Sequence, residues 1–392
     1  MDRVRNPFAP GAGNPPPELA GRAALLDEAE VALLRVSQRR ASQSLILVGL
    51  RGVGKTVLLV RIRDMAEALG YRTALVEAHE GKTLAELLVP PLRNLLFSLS
   101  MMESAKEKAR RALRILRGFL GAVKMNMGEL DLEIGLDPER GVADSGDIES
   151  DLPNVLLAVA EAAQAGGKSV ALLIDELQYF EAPEFSALIM SMHKINQANL
   201  PFIMFGAGLP QVLALAGESK SYAERLFRYP PIGALPHDDA IAALKTPIES
   251  EEARISTGAL AEILAITKAY PYFLQQWGHD AWNAAADDLI TESDVVRASE
   301  VAIRTLDEGF FKVRFDRCNP SERRYMRALA ELGPGAHRSG DVAQIMGLKT
   351  TSVGPTRGKL IRKGMIYAPA HGDTEFTVPL FDAYMRRAMS LG

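Results

Sequence analysis

Two clusters of residues in this chain have the types and spacing needed for chemistry on a phosphate. The first, Gly49-Leu-Arg-Gly-Val-Gly-Lys-Thr56, fits G-x-x-x-x-G-K-[ST] at every position. In such a loop the glycines let the backbone curl until its N–H groups face an anion, and the following helix N-terminus adds partial positive charge. Lys55 would neutralise the β and γ phosphates of a nucleoside triphosphate, and Thr56 would offer its hydroxyl to magnesium. Gly49, Gly52, Val53, Gly54, Lys55, Thr56 and Val57 are therefore expected to line ATP. A glycine-rich turn matching by chance would need neither a strand before it nor a helix after it. Here the apolar run Ser44-Leu-Ile-Leu-Val-Gly49 precedes the motif and a helix over residues 55–69 follows.

The second cluster is Val170-Ala-Leu-Leu-Ile-Asp-Glu176, an apolar run ending in two acids. It puts carboxylates at the carboxyl edge of a parallel sheet, where ligands bind in open α/β folds. Asp175 suits the magnesium shell, and Glu176 suits a base that orients or deprotonates water beside the γ phosphate. A strand ending in Asp-Glu is common by itself; its pairing with the loop gives it meaning.

The elements that must position these groups alternate. Strands at 44–49, 72–77, 169–174 and 202–206, with a proline-interrupted edge strand at 228–235, are separated by helices at 55–69, 83–99, 154–164 and 183–199, as a parallel five-stranded sheet requires. Residues 1–17 are rich in Pro, Gly and Asn and form an extended arm. Residues 101–150 break the alternation and read as an insertion: a basic helix at 104–119 with Lys106, Lys108, Arg110, Arg111, Arg114 and Arg117, then a period-two stretch at 123–135 that suggests a hairpin. The basic helix suits either phosphate or, more simply, a solvated helix face. Residues 237–306 are helical throughout. Beyond them, helices at 321–332, 339–346 and 351–363 and a hairpin around His371-Gly-Asp373 spell a winged helix. The domain boundaries expected are 1–235, 236–306 and 307–392.

With these motifs in place, the chain resembles the AAA+ superfamily, in the bacterial and archaeal branch of origin-recognition ATPases and signal-transduction ATPases. The resemblance extends over nearly the whole chain. It implies an α/β P-loop core, a helical lid, a C-terminal winged helix, and ATPase activity with magnesium. Leu19-Ala-Gly-Arg22 is similar to the family's adenine-side entry segment, which points to Arg22. Lys268-Ala-Tyr-Pro-Tyr-Phe-Leu-Gln275 resembles the lid motif Gly-x-Pro-Tyr-x-Leu-Gln, with Ala269 where the family has glycine, and it points to Pro271 beside the nucleotide. Arg225, with Arg228 in reserve, lies where relatives carry an arginine finger that reaches a neighbouring subunit. Where relatives carry a polar sensor, Phe205-Gly-Ala-Gly-Leu-Pro210 has no hydroxyl or amide, which implies slow or differently supported hydrolysis.

Composition sets the limits. Among 392 residues, 47% are hydrophobic and 24% charged, the balance of a soluble globular protein. A net charge of −4 excludes a chain that coats nucleic acid everywhere, but residues 338–363 hold six Lys or Arg against one acid, Asp341. Arg357, Lys359 and Lys363 are the expected contacts to duplex DNA. One cysteine, Cys318, allows neither an intrachain disulfide nor a cysteine-based zinc site, and with no signal peptide or transmembrane stretch the expectation is a cytoplasmic protein without membrane contact. Three functions remain: an ATP-driven switch assembling on DNA, a signalling switch whose winged helix meets protein, and, weakest, a small-molecule P-loop kinase. A nucleotide-dependent homo-oligomer or a protein client is the expected partner.

Overall fold

The computed structural model describes residues 1–11, 13–123, 136–219 and 223–390. The chain forms two compact units. One comprises Ala23–Gly49 and Lys55–Pro231, the other Met1–Arg22, Leu50–Gly54 and Ile232–Gly392.

The first unit is an α/β sheet unit. Strands β1 (Ser44–Gly49), β2 (Arg72–Glu77), β3 (Val170–Asp175), β4 (Phe202–Gly208) and β5 (Phe227–Arg228) lie in the order β2-β3-β4-β1-β5, and the pairings along that order are parallel. Every residue of β1, β3 and β4 is buried, as the unbroken apolar runs require of central strands covered on both faces. β2, at one edge, instead alternates exposed and buried residues. The register brings Val48 opposite Gly208, Ile174 opposite Gly206 and Glu77 opposite Asp175, so β1, β3 and β4 deliver their last residues to one edge. The expected fifth strand is shorter than its apolar run: it ends at Arg228, and a separate short strand, Pro231–Ile232, follows Pro230. A proline offers no N–H to a ladder.

The 101–150 region is more integral than an insertion suggests. Helix Lys106–Ala122 buries Ala109, Ala112, Leu113, Ile115, Leu116 and Phe119 within the main core and packs on helix Ile148–Ala165. That second helix begins six residues before the sequence expectation, because Asp147 caps it and Pro153 is accommodated inside it. The hairpin expected at 123–135 lies, from residue 124 onward, outside the described residues.

The second unit is helical with a small sheet. Helices His237–Ser250, Thr257–Thr267, Pro271–Ala284 and Glu292–Thr305 are followed by a π-helical turn at Leu306–Phe311. Then come helices Pro320–Glu331, Ser339–Ile345 and Thr350–Arg362, a three-stranded antiparallel sheet from His337–Arg338, Ile366–Tyr367 and Asp373–Phe376, and helix Phe381–Ala388. The N-terminal arm belongs to this unit. The Phe8 ring fills the space over Gly278, Asn6 donates to the His279 carbonyl at 3.0 Å, and the Trp282 indole donates to the Asp2 carbonyl at 2.8 Å. Trp277 and Trp282 are buried core residues. Among the described residues no helix is long and apolar enough to cross a membrane.

Candidate nucleotide site

In the sheet unit, β1 ends at Gly49, a helix begins at Lys55 and runs to Ala68, and β3 ends at Asp175. The Thr56 hydroxyl donates to Asp175 Oδ2 at 2.5 Å, although 119 residues separate them in sequence. Burial is the main influence on the Asp175 carboxyl and holds it above the ordinary carboxylate range. The charge of Glu176 adds to that, while the Thr56 hydroxyl, the Glu176 N–H and the charge of Lys55 pull the other way. A buried carboxylate touching a hydroxyl, and disfavoured as an anion until a cation arrives, fits the protein side of a magnesium site. Among the described residues no group of three or more His, Cys, Asp or Glu could hold a metal alone. Any ion here would draw its other ligands from phosphate oxygens and water, as magnesium commonly does.

Glu176 follows in a left-handed conformation, φ 55°, and its N–H donates to Asp175 Oδ1 at 2.7 Å. Its carboxylate accepts a hydrogen bond from the Gln178 carboxamide, whose oxygen accepts the Leu209 N–H at 2.9 Å. Gln178, which makes these contacts, was not singled out from sequence. The signal lay in the glycines of β4: a Cβ on Gly206 would stand 2.5 Å from the Leu177 side chain, and one on Gly208 would stand 3.0 Å from Gln178 Oε1. The strand end lacks a polar side chain because the turn after Glu176 occupies the space, and that turn brings an amide with it.

In the other unit, the loop Leu50–Gly54 has Gly52 at φ +83° and Gly54 at φ +92°, a region that other residues enter only at a cost. A side chain at Gly52 would also meet Tyr272 Cβ at 3.1 Å and Tyr270 Cε1 at 3.2 Å. The loop backbone is held: the Tyr272 N–H donates to Gly52 O at 3.1 Å, the Tyr270 hydroxyl donates to Arg51 O, and the Arg51 N–H donates to Thr377 O at 3.3 Å. Val53 is buried. Tyr270, Tyr272 and Thr377 were not singled out from sequence, although the two tyrosines flank Pro271. Pro271 itself opens its helix, after Lys268 at φ 53°, Ala269 at φ 56° and the extended Tyr270. The backbone at 269 thus adopts the conformation for which the resembling motif carries glycine. Arg22 donates to Gly233 O at 2.7 Å and to Val53 O at 3.5 Å. Burial lowers its proton affinity, partly offset by Asp239.

The remaining expected residues divide. Arg225 is exposed, whereas Arg228 pairs with Glu28 at 2.7 Å. Arg357 is held within its own module, donating to Thr374 Oγ1 at 2.8 Å and Asp373 O at 2.6 Å. Lys363 likewise donates to the buried Glu322 at 2.8 Å and to Arg317 O at 3.0 Å. Of the three residues expected on DNA, only Lys359 stands exposed, in company with Lys349 and Arg362. The basic helix is neutralised locally by Arg111 and Arg114 on Glu139 and by Lys108 on Glu161, which favours the reading as a charged helix face over a phosphate strip.

A parallel sheet with this loop after β1, acids at the end of β3, and β4 between those two strands is the arrangement expected from the two sequence motifs. Residues 18–204 match the family model described as an AAA ATPase domain. Residues 308–385 match a second family, described as a domain of unknown function. A search of curated proteins finds no match. Solved structures similar to the chain include the Orc1 protein of Aeropyrum pernix in complex with DNA, at 13% identity and TM-score 0.48, covering 98% of this chain and 96% of that one. The Cdc6p protein of Pyrobaculum aerophilum matches at 12% identity and TM-score 0.47 over 99% and 97% of the two chains. The RuvB Holliday junction branch migration motor of Thermotoga maritima matches at 13% and 0.44 over 95% and 96%. Likenesses of this degree say nothing about function.

Proposed function

We propose that the chain is an ATP-driven conformational switch of the origin-recognition-like and signal-transduction branch of AAA+ proteins, binding ATP with magnesium and hydrolysing it. The observation that carries this reading is the 2.5 Å contact between Thr56, at the start of the helix after the loop, and Asp175, at the end of β3. These are the side chains that would hold magnesium, and the ion would supply positive charge to the phosphates. Lys55 and the N–H groups of the 49–56 loop would bind the β and γ phosphates. Glu176 would take a proton from the attacking water as its oxygen bonds to the γ phosphorus and the bond to the β–γ bridging oxygen breaks, giving ADP and inorganic phosphate. Arg22 and Pro271 would border the adenine side, and Arg225 would reach a neighbouring subunit's nucleotide.

The C-terminal module, read as a winged helix, has two candidate targets. The internal bonds of Arg357 and Lys363 reduce the cations available to phosphate and support a protein client over duplex DNA. A DNA contact would instead rest on Lys349, Lys359 and Arg362. Two measurements test the reading. Phosphate release from ATP should require magnesium and Lys55, and its absence from the wild type would refute hydrolysis. Titration of labelled duplex at two salt concentrations, with wild type and with a Lys349→Ala/Lys359→Ala/Arg362→Ala variant, decides the target, because phosphate contacts weaken steeply with salt. Salt-sensitive binding abolished by the triple change would favour DNA; no binding at low salt with ATP favours the protein client.

A further inference from the structure

The geometry points to Gln178 as a positioning residue for ATP hydrolysis, the group that fixes the Glu176 carboxylate and ties it to the end of β4. This rests on the assignment of Glu176 as the base. A general base works only when its oxygen is held within hydrogen-bonding reach of the proton it takes, and a glutamate with three rotatable torsions is not held by its backbone alone. Glu176 is fixed at both ends. Its N–H donates to Asp175 Oδ1 at 2.7 Å, and its carboxylate receives the Gln178 Nε2–H. Its left-handed backbone, φ 55°, is a conformation that persists in a non-glycine residue where surrounding contacts over-determine it.

The identity of the side chain is dictated as well. The Leu209 N–H can only donate, and it meets Gln178 Oε1 at 2.9 Å; the Glu176 carboxylate, once ionised, can only accept, and it meets Nε2. A carboxamide satisfies both at once, whereas a carboxylate satisfies only the first. Gly206 and Gly208 leave room for this bridge, since a Cβ at either position would fall on Leu177, Val212 or Gln178 itself. The amide missing from β4 is thus supplied from the turn after β3, so the segment Leu209-Pro210 that leaves β4 is one hydrogen-bonded link from the base.

The test is steady-state phosphate release at saturating ATP and magnesium by the full chain. Gln178→Ala should lower kcat by about 10- to 100-fold, the scale of a displaced catalytic group, with KM for ATP within about twofold of wild type. Because Gln178 acts through Glu176, the loss should not add to that of Glu176→Gln: the double variant should match Glu176→Gln alone. Gln178→Glu is nearly isosteric and gives a second readout. Protonated, it reproduces both contacts; ionised, it sets two carboxylates side by side and raises one of their proton affinities. Its turnover relative to wild type should therefore be highest at the acidic end of the range from about pH 5 to 9 and fall as the pH rises. A Gln178→Ala kcat within about twofold of wild type, multiplicative losses in the double variant, or a flat ratio for Gln178→Glu overturns the inference and leaves the ATPase reading intact. Wild-type protein without Lys55-dependent turnover would overturn both.

Discussion

Thr56 and Asp175 are joined by a hydrogen bond of 2.5 Å, and the acceptor is an acid whose neighbourhood disfavours its charge. Burial dominates that effect, so the folded protein binds the Asp175 proton more tightly than the unfolded chain does. The sign follows from linkage: an acid whose proton affinity is raised by folding costs stability as the pH climbs from its ordinary carboxylate value through its raised one, and the cost persists above that. Asp175→Asn should therefore stabilise the nucleotide-free protein at neutral pH. The asparagine carbonyl can still accept the Glu176 N–H, and its amide can donate to Thr56. The advantage should vanish when both proteins are unfolded by heat below the ordinary carboxylate range. In the same variant the stabilisation by ATP with magnesium should shrink sharply. Lower stability of the nucleotide-free variant at pH 7 would contradict the electrostatic assignment.

Ala269 provides a stability test in the helical unit. It sits at φ 56° directly after Lys268 at φ 53°. A left-handed conformation costs an L-residue roughly 1–2 kcal/mol, and removing that cost should outweigh the extra unfolded-state freedom that glycine brings. Ala269→Gly should leave stability unchanged or raise it by up to about 1 kcal/mol. Ala265→Gly, at an exposed position inside helix Thr257–Thr267, should lower it by about 1 kcal/mol. Equal losses in the two variants, measured by denaturant unfolding, would mean that position 269 carries no strain.

The two arginines at the end of the sheet unit should separate in kinetics. Arg225 is exposed, and Arg228 is paired with Glu28 at 2.7 Å with 57% of its side chain accessible. A finger that acts on a neighbour's nucleotide makes turnover per subunit rise with protein concentration, and its loss removes that rise. Arg225→Ala should reduce turnover at high concentration by about 10-fold or more, while Arg228→Ala, breaking one partly solvated ion pair, should stay within about twofold. Turnover per subunit that is independent of concentration across the assembly range would dismiss action in trans.

The candidate nucleotide site was legible where local pattern dictates it. The 49–56 motif carries its own test, a strand before and a helix after, and the run 170–175 ends in an acid at the sheet edge because an apolar strand buried on both faces can end in little else but loop or function. What stayed hidden depends on contacts between residues far apart in sequence. The bond from Tyr270 to Arg51 spans 219 positions, and Gln178 meets Leu209 across 31. A tyrosine beside a proline and a glutamine in a turn have no period or spacing that marks them. Charge was over-read for the same reason: Arg357 and Lys363 look available in a helix considered alone, and they are engaged once Thr374 and Glu322 are brought against them. One helix start was set too late as well: Pro153 lies inside helix Ile148–Ala165, which continues through it.

The most direct measurement of the central claim is thermal unfolding with ATP and magnesium, for wild type and Lys55→Ala. Lys55 is buried at the start of its helix, directly after the loop glycines, and in the proposed function it would supply the cation that meets the β and γ phosphates. With ATP at about 100 times its dissociation constant the wild type should gain about 2.7 kcal/mol, seen as a clear rise in Tm that requires the nucleotide, while Lys55→Ala should show none at the same concentration. Equal rises in the two proteins, or no rise in either at millimolar ATP, would contradict nucleotide binding at residues 49–56.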